Sequence, residues 1–138
     1  MDTDTTTVSP TTLRAEMVAK VRKAGYAQLS EVERVLLDTP RHEFVPDVRL
    51  AAAYDPWQAV VTHRFEDGRS LSCASAPWLV AAMLDQLHVQ PGNRILEIGA
   101  GTGYNACLVR HEAPPIPCGD GRSPPLSCRS RVTKPRAV

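Results

Sequence analysis

The first third of the chain carries two stripes of apolar side chains at helical spacing. The first stripe starts after Thr12 and stops before Gly25, which predicts an amphipathic helix between these residues. The second follows Ser30, with Glu33 three residues later as in a capping box, and Pro40 ends it. The stripes consist of Leu13, Met17, Val18 and Val21 in the first helix, and Val32, Val35 and Leu36 in the second.

The middle of the chain alternates short segments of different character. We predict a helical patch over residues 50–54, a strand over residues 58–62 and a turn over residues 66–69. Pro77 then opens a longer helix, since proline is favoured in the first helical turn. The apolar residues of this helix are spaced for one buried face and are Leu79, Val80, Met83, Leu84 and Leu87.

The next segment has the strongest local signal. Residues 94–98, with the sequence Arg-Ile-Leu-Glu-Ile, are the best strand candidate in the chain. A glycine-rich turn follows at residues 99–103, and a helix is predicted from Tyr104 to Arg110. A strand, a glycine turn and a helix in succession form the first unit of an open parallel α/β sheet. After Glu112 the sequence shows neither the apolar spacing of a helix nor the alternation of a strand.

Composition divides the chain at the same place. Its 138 residues suit one domain, and a net charge of +1 argues against a nucleic-acid-binding surface. Residues 113–138 nevertheless carry five basic residues, one acidic residue and six of the twelve prolines. We therefore predict a disordered Pro/Arg-rich tail over 113–138, and a disordered N-terminus over the polar residues 1–10.

No stretch predicts a membrane segment. The longest apolar run, residues 78–84, is far shorter than the ~20 residues that a spanning helix needs. The N-terminus lacks the basic and apolar regions of a signal peptide, so we expect a cytoplasmic protein without a membrane partner. The cysteines and histidines show no metal-ligand spacing, and we predict reduced thiols and no metal. They are Cys73, Cys107, Cys118, Cys128, His42, His63, His88 and His111.

The glycine turn carries the sharpest chemical signal. Its pattern is Gly-x-Gly-x-Gly, with Glu97 two residues before the first glycine. The third glycine comes one residue too early for the dinucleotide fingerprint, and no Gly-Lys-Ser/Thr follows for a phosphate loop. The pattern suits S-adenosylmethionine, whose cationic sulfonium is favoured by a nearby carboxylate; a purely structural turn is the alternative. The candidate cofactor residues are Glu97, Gly99, Ala100, Gly101, Thr102, Gly103 and Tyr104.

From about residue 28 to 110 the sequence resembles the protein-L-isoaspartate O-methyltransferases. The matching stretches, in the family's order and spacing, are residues 39–46 (Thr-Pro-Arg-His-Glu-Phe-Val-Pro), 53–56 (Ala-Tyr-Asp-Pro), 75–77 (Ser-Ala-Pro) and 97–106. The resemblance implies an α/β fold: the N-terminal part of a Rossmann-like methyltransferase with a helical N-terminal extension. It also implies S-adenosylmethionine as cofactor and an aspartyl or isoaspartyl carboxylate of a protein or peptide as methyl acceptor.

By the same resemblance, Ser75 matches the family's active-site serine. A hydroxyl at a helix start can orient an anionic acceptor, and a carboxylate is already nucleophilic at neutral pH. The alternative is that Ser75 only caps the helix at Pro77. Trp57 and Trp78 flank the implied cleft, and we expect them to pack in the core, with contact to the substrate as the alternative.

The sequence also departs from the family pattern. The Gly-x-Gly-Gln-Thr stretch that usually precedes the serine is absent from residues 62–70, and Cys73 stands where a threonine is expected. These departures resemble the peptide-tailoring branch, whose members methylate an aspartate in a ribosomally made precursor. Repair of damaged proteins and modification of one peptide therefore remain alternatives.

The resemblance predicts more sheet than the chain supplies. An acidic residue is expected about 20 residues after the glycines to hold ribose hydroxyls, and only Asp120 lies there, between two glycines. We expect a helical extension with the substrate cleft over 11–75, the start of the methyltransferase domain over 76–112, and an incomplete sheet. The expected activity is carboxyl methyl transfer; the alternative is a non-enzymatic fragment that acts as a binding module or has no function.

The abrupt change near residues 111–114 predicts a shift of reading frame in the gene. One of the other two frames of the DNA beyond this point should then encode an apolar strand that ends in Asp or Glu, followed by further strand–helix units. Sequencing the gene and translating all three frames tests this. Stop codons or low-complexity sequence in both alternative frames would contradict it.

Overall fold

The computed structural model describes residues 8–112. Its elements, in chain order, are α1 (Pro10–Lys23), α2 (Ser30–Asp38), a 3-10 helix (Arg41–Phe44), α3 (Leu50–Ala53), β1 (Val60–Arg64), β2 (Ser70–Ala74), α4 (Pro77–Leu87) and α5 (Tyr104–Glu112). The helices predicted at residues 50–54, at Pro77 and at Tyr104 are confirmed. Residues 1–7 and 113–138, for which the sequence predicts disorder, lie outside the described residues.

Helix α1 begins earlier than the apolar stripe predicts. The Ser9 hydroxyl accepts a hydrogen bond from the Thr12 amide at 3.1 Å, and Pro10 occupies the first turn. The prediction of disorder is therefore wrong at Ser9 and Pro10. Capping chemistry places the boundary, because a serine oxygen satisfies an amide that the first turn leaves unpaired.

The start of α2 is capped from another helix. The residue at the N-cap position is Leu29, and the Ser30 hydroxyl bonds the Glu31 carboxylate, so the predicted capping box is wrong. The carboxylate of Asp85, on α4, accepts hydrogen bonds from the amides of Gln28 at 3.0 Å and Leu29 at 3.2 Å. A contact 56 residues away along the chain thus replaces the local cap.

The core lies between the helices. The predicted stripes of α1 and α2 are buried there, except that Leu13 is only partly buried, together with residues of α4 and α5. The fully buried side chains of these four helices include Met17, Val18, Val21, Val32, Val35, Leu36, Val80, Ala81 and Leu108. Of the apolar face predicted for α4, only Val80 and Leu84 are buried, whereas Leu79, Met83 and Leu87 are 38–50% exposed. Met83 and Leu87 instead line a groove described below.

Strands β1 and β2 form an antiparallel hairpin. The turn predicted at residues 66–69 is confirmed, with the Phe65 amide donating to the Arg69 carbonyl at 2.9 Å. The strand predicted at residues 58–62 begins and ends two residues later. Its partner β2 has a serine-rich sequence without strand periodicity, and pairing with β1 overrides that weak local preference.

The strand predicted at residues 94–98 is not part of a sheet. Among residues 8–112 the sheet consists of β1 and β2, and residues 94–97 have no regular secondary structure. Leu96 and Ile98 are 84% and 89% exposed. A strand requires neighbours to satisfy its backbone and cover its faces. The described part of the fold is therefore mostly helical with one small hairpin, as expected for an incomplete α/β methyltransferase fold.

Within residues 8–112, the helices are too short or too polar to cross a bilayer.

The capping contact at Asp85 predicts a measurable loss of stability. Replacing it, Asp85→Ala, leaves two amides before α2 without an acceptor and should lower the free energy of unfolding by about 1–2 kcal/mol. Urea denaturation measures the change. Asp38→Ala is the matched control, since the exposed pair of Asp38 with Arg34 is worth less than about 1 kcal/mol. Equal effects of both substitutions would contradict the assignment of the cap.

Candidate functional site

The glycine loop, residues 99–103, leads into α5. Gly99, Gly101 and Gly103 have positive φ angles of 79°, 55° and 82°, which side chains of L-residues rarely adopt. The Gly103 amide donates to the Ala100 carbonyl at 2.8 Å, and the Cys107 amide then donates to the Gly103 carbonyl as the helix begins. A Cβ atom built on Gly99 would meet no atom within 4 Å. One side of the loop backbone is therefore open to a ligand.

Glu97 lies immediately before this loop. Its side chain is half-buried, and its Oε2 atom is buried with no hydrogen-bond partner within the part of the chain that the structure describes. A buried carboxylate oxygen without a donor is unfavourable unless a ligand or ion completes its environment. The position next to an open backbone suits a cationic or hydrogen-bond-donating group.

A groove of about 420 Å³ borders Glu97. It lies between α4, residues 93–97 and α5, and its lining is mainly apolar. Its lining residues include Val80, Met83, Leu87, Ile95, Leu96 and Val109. Two of the three exposed apolar residues of α4, Met83 and Leu87, line this groove.

Ser75 lies in the link between β2 and α4 and is half-buried. The N-cap residue of α4 is Ala76, and the cap makes no side-chain hydrogen bond. The alternative that Ser75 serves as the N-cap of this helix is therefore wrong. The backbone of Ser75 is held by Arg41, whose Nη2 donates a hydrogen bond of 2.7 Å to the Ser75 carbonyl.

Arg41 connects the serine with the helix that follows the glycine loop. Its side chain is 1% exposed, and its guanidinium carbon lies 4.9 Å from the ring centroid of Tyr104. Its Nε donates to the Ala53 carbonyl at 2.9 Å. Arg41 is not among the site residues that the sequence predicts. The signal was present, since Arg41 belongs to the Pro-Arg-x-x-Phe-Val-Pro stretch that carries the resemblance.

The side chain of Tyr104 is part of the core. It is 2% exposed and packs edge-on against Phe44 with ring centroids 5.4 Å apart. Burial raises the pKa of Tyr104 well above its usual value, and the positive charge of Arg41 offsets part of that rise. The sequence predicts Tyr104 as a cofactor residue. Because its ring is buried in the core, only its backbone, at the start of α5, lies next to the glycine loop.

The aromatic residues that flank the site differ in burial. Trp78 packs against Tyr26, with ring centroids 5.3 Å apart, as expected for a core residue. Trp57 is 47% exposed, so the expectation that it packs in the core is wrong. His42 makes a 2.7 Å hydrogen bond with the Tyr54 hydroxyl. Within residues 8–112, no group of three potential metal ligands is close enough to hold an ion.

Comparison with known proteins gives one consistent family. The family model described as protein-L-isoaspartate(D-aspartate) O-methyltransferase matches residues 12–113. A protein-L-isoaspartate O-methyltransferase of Methanopyrus kandleri is 37% identical over 109 residues, which cover 79% of this chain and 43% of the relative. A protein-L-isoaspartate O-methyltransferase of Hyperthermus butylicus is 33% identical over 102 residues, which cover 74% of this chain and 39% of the relative. A protein-L-isoaspartate O-methyltransferase 2 of a Polaromonas species is 38% identical over 103 residues, covering 71% and 46%.

The chain spans roughly two fifths of the length of these curated relatives. The matched region contains the glycine loop, Ser75 and Arg41.

The buried hydroxyl of Tyr104 predicts a loss of stability at high pH. Its pKa in the folded protein is above that of the unfolded chain, about 10. The unfolded state therefore loses this proton first, so stability is fully present below pH 10 and falls as the pH rises above it. Tyr104→Phe should reduce this fall in urea denaturation between pH 9 and pH 11. Tyr26→Phe is the control, and an unchanged pH dependence in Tyr104→Phe would contradict the prediction.

Proposed function

Because the chain belongs to the protein-L-isoaspartate(D-aspartate) O-methyltransferase family, we propose that it carries the cofactor loop and part of the acceptor site of a carboxyl methyltransferase. The cofactor is S-adenosylmethionine, and the acceptor is an aspartyl or isoaspartyl carboxylate of a protein or peptide. The chain spans only part of its relatives, so this activity belongs to the proposal. The cytoplasm stays the predicted location.

One observation carries the cofactor assignment. The buried Oε2 of Glu97 lacks a partner among residues 8–112 and stands next to a glycine backbone that is open on one side. A ligand with a cationic or ammonium group and an extended body fits such a pair of features. When bound, S-adenosylmethionine would supply an electrophilic methyl group on a cationic sulfonium. In this arrangement the Glu97 carboxylate would accept a hydrogen bond from the cofactor or balance its positive charge. Gly99 and Gly101, which lack side chains, would let the cofactor approach the loop backbone closely.

Ser75 supports the acceptor side of the proposal. Its side chain does not cap α4, whose N-cap residue is Ala76, and it is half-buried in the link before this helix. A carboxylate needs no strong general base before it attacks a methyl group, so the protein's work is to orient it and exclude water. The Ser75 hydroxyl is suited to donate a hydrogen bond to one carboxylate oxygen and leave the other free to attack.

A second candidate function is non-enzymatic. It is favoured by residues 94–98, which form no sheet among residues 8–112 and expose Leu96 and Ile98. In that reading the chain is a binding module and its glycine loop is a structural turn. Cofactor binding and methyl transfer to an isoaspartyl peptide separate the two candidates.

Calorimetric titration with S-adenosylmethionine tests the proposed function. We expect saturable heat from the wild-type chain and loss of that heat in Gly101→Val, because a β-branched residue is strained at φ +55° and covers the open backbone. Gly68→Val is the matched control, since Gly68 also has a positive φ, +85°, but lies in the hairpin turn.

The control should lose stability and keep the affinity for the cofactor. Unchanged binding in Gly101→Val would mean that the loop is only a turn. No heat from the folded wild-type chain would favour the binding module.

A further inference from the structure

Arg41 is a buried cation that has no acidic partner among residues 8–112. Its side chain is almost fully buried, and no ion pair joins it to a carboxylate within residues 8–112. Its guanidinium donates to the carbonyl oxygens of Ala53, Ala74 and Ser75, and its charge also interacts favourably with the Tyr104 side chain. Its Nη1 atom is buried without a well-formed hydrogen bond to residues 8–112. Burial of an unpaired guanidinium is costly, and apolar residues of similar volume often stabilise a protein as well or better. Stability alone therefore does not account for this residue.

The contacts of Arg41 join three segments that are far apart in sequence. Nε holds the end of α3 through Ala53, Nη2 holds the link between β2 and α4 through Ser75, and the guanidinium plane lies against the ring of Tyr104 on α5. The hydrogen bond to Ser75, at 2.7 Å, is the shortest of these. One rigid group thus fixes the serine relative to the helix that begins at the glycine loop.

The base of Arg41 is itself fixed. Pro40 precedes it and sets the start of the 3-10 helix, and the next residue, His42, is bonded to the Tyr54 hydroxyl at 2.7 Å. Tyr54 is buried, so this bond anchors the helix to the core. The backbone that carries the Arg41 guanidinium is therefore held in place by the core.

We propose that Arg41 is the positioning residue of the methyl-transfer site, which sets the Ser75 backbone at a fixed place relative to the glycine loop. This inference rests on the proposed function for its catalytic consequence. The planar fork is essential, since lysine keeps the charge over the Tyr104 ring but cannot donate to Ala53 and Ser75 in the same geometry. Arg41→Lys therefore separates geometry from charge.

The first measurement does not depend on activity. In ¹⁵N relaxation experiments on the wild-type chain, the amides of Ser75 and Ala76 should have order parameters near 0.85, as in rigid backbone. In Arg41→Lys they should fall below about 0.6, while the amides of Met17 to Val21 in α1 stay unchanged. Arg22→Lys is the matched control, because Arg22 is half-exposed and pairs with Glu33 on the surface. It should change neither region.

The second measurement is kinetic and uses an isoaspartyl peptide. Arg41→Lys should lower kcat at least tenfold and change KM for S-adenosylmethionine by less than threefold, corrected for the folded fraction by circular dichroism. A merely structural role would lower the amount of folded protein and leave kcat per folded molecule unchanged. If Arg41→Lys does not fold, Arg41→Met keeps a similar length without a buried charge, removes the hydrogen bond to the Ser75 carbonyl and should loosen Ser75 in the same way.

The outcomes separate the two proposals. Rigid Ser75 amides in Arg41→Lys, or equal loosening throughout the chain, would overturn the role of Arg41. Full kcat in Arg41→Lys would overturn it as well, because charge alone would then suffice. If the wild-type chain neither binds S-adenosylmethionine nor transfers methyl groups, the proposed function fails, and the relaxation measurement still decides whether Arg41 fixes Ser75.

Discussion

The candidate site depends on a guanidinium buried among carbonyl oxygens. Arg41 is the side chain that binds the Ser75 carbonyl, while the residues on either side are held by the pairing of Ala74 with Val60 and by the bond from the Trp78 amide to the Pro56 carbonyl. Through Arg41, the end of α3, the serine link and α5 share one rigid plane. A planar group with several hydrogen-bond donors can bind several backbone carbonyls at once in a fixed geometry. The arginine guanidinium is such a group.

The rest of the described fold is organised by helices that support one another. The apolar stripes of α1 and α2 meet α4 and α5 in a common core, and Asp85 fixes the start of α2 from α4. This arrangement buries most of the apolar stripes of α1 and α2 without a parallel sheet, whereas Leu96 and Ile98 stay exposed. It positions the glycine loop through α5, since Tyr104 and Leu108 are buried in the same core.

Local signals in the sequence predicted most of the helices and the glycine loop, because apolar periodicity and proline or glycine boundaries act over a few residues. They failed where a distant residue decides the structure. The cap of α2 comes from Asp85, and β2 exists because β1 pairs with it. The strand predicted at residues 94–98 is not part of a sheet, because an apolar strand needs neighbouring strands and none pairs with it within residues 8–112. For the candidate site, the motif predicts Ser75 and the glycines, whereas the proposed role of Arg41 rests on contacts that no apolar periodicity reports.

The exposed segment 94–98 has a consequence for how the protein behaves in concentrated solution. Leu96 and Ile98 present apolar surface beside backbone groups that no strand in residues 8–112 pairs, which is the arrangement that favours self-association through added strands. Arg94 and Glu97 interrupt this surface with charge, as residues that flank aggregation-prone stretches do. Because these two charges have opposite signs, they give copies of the segment no net repulsion, and the protection they offer comes from the cost of removing them from water when two segments pair.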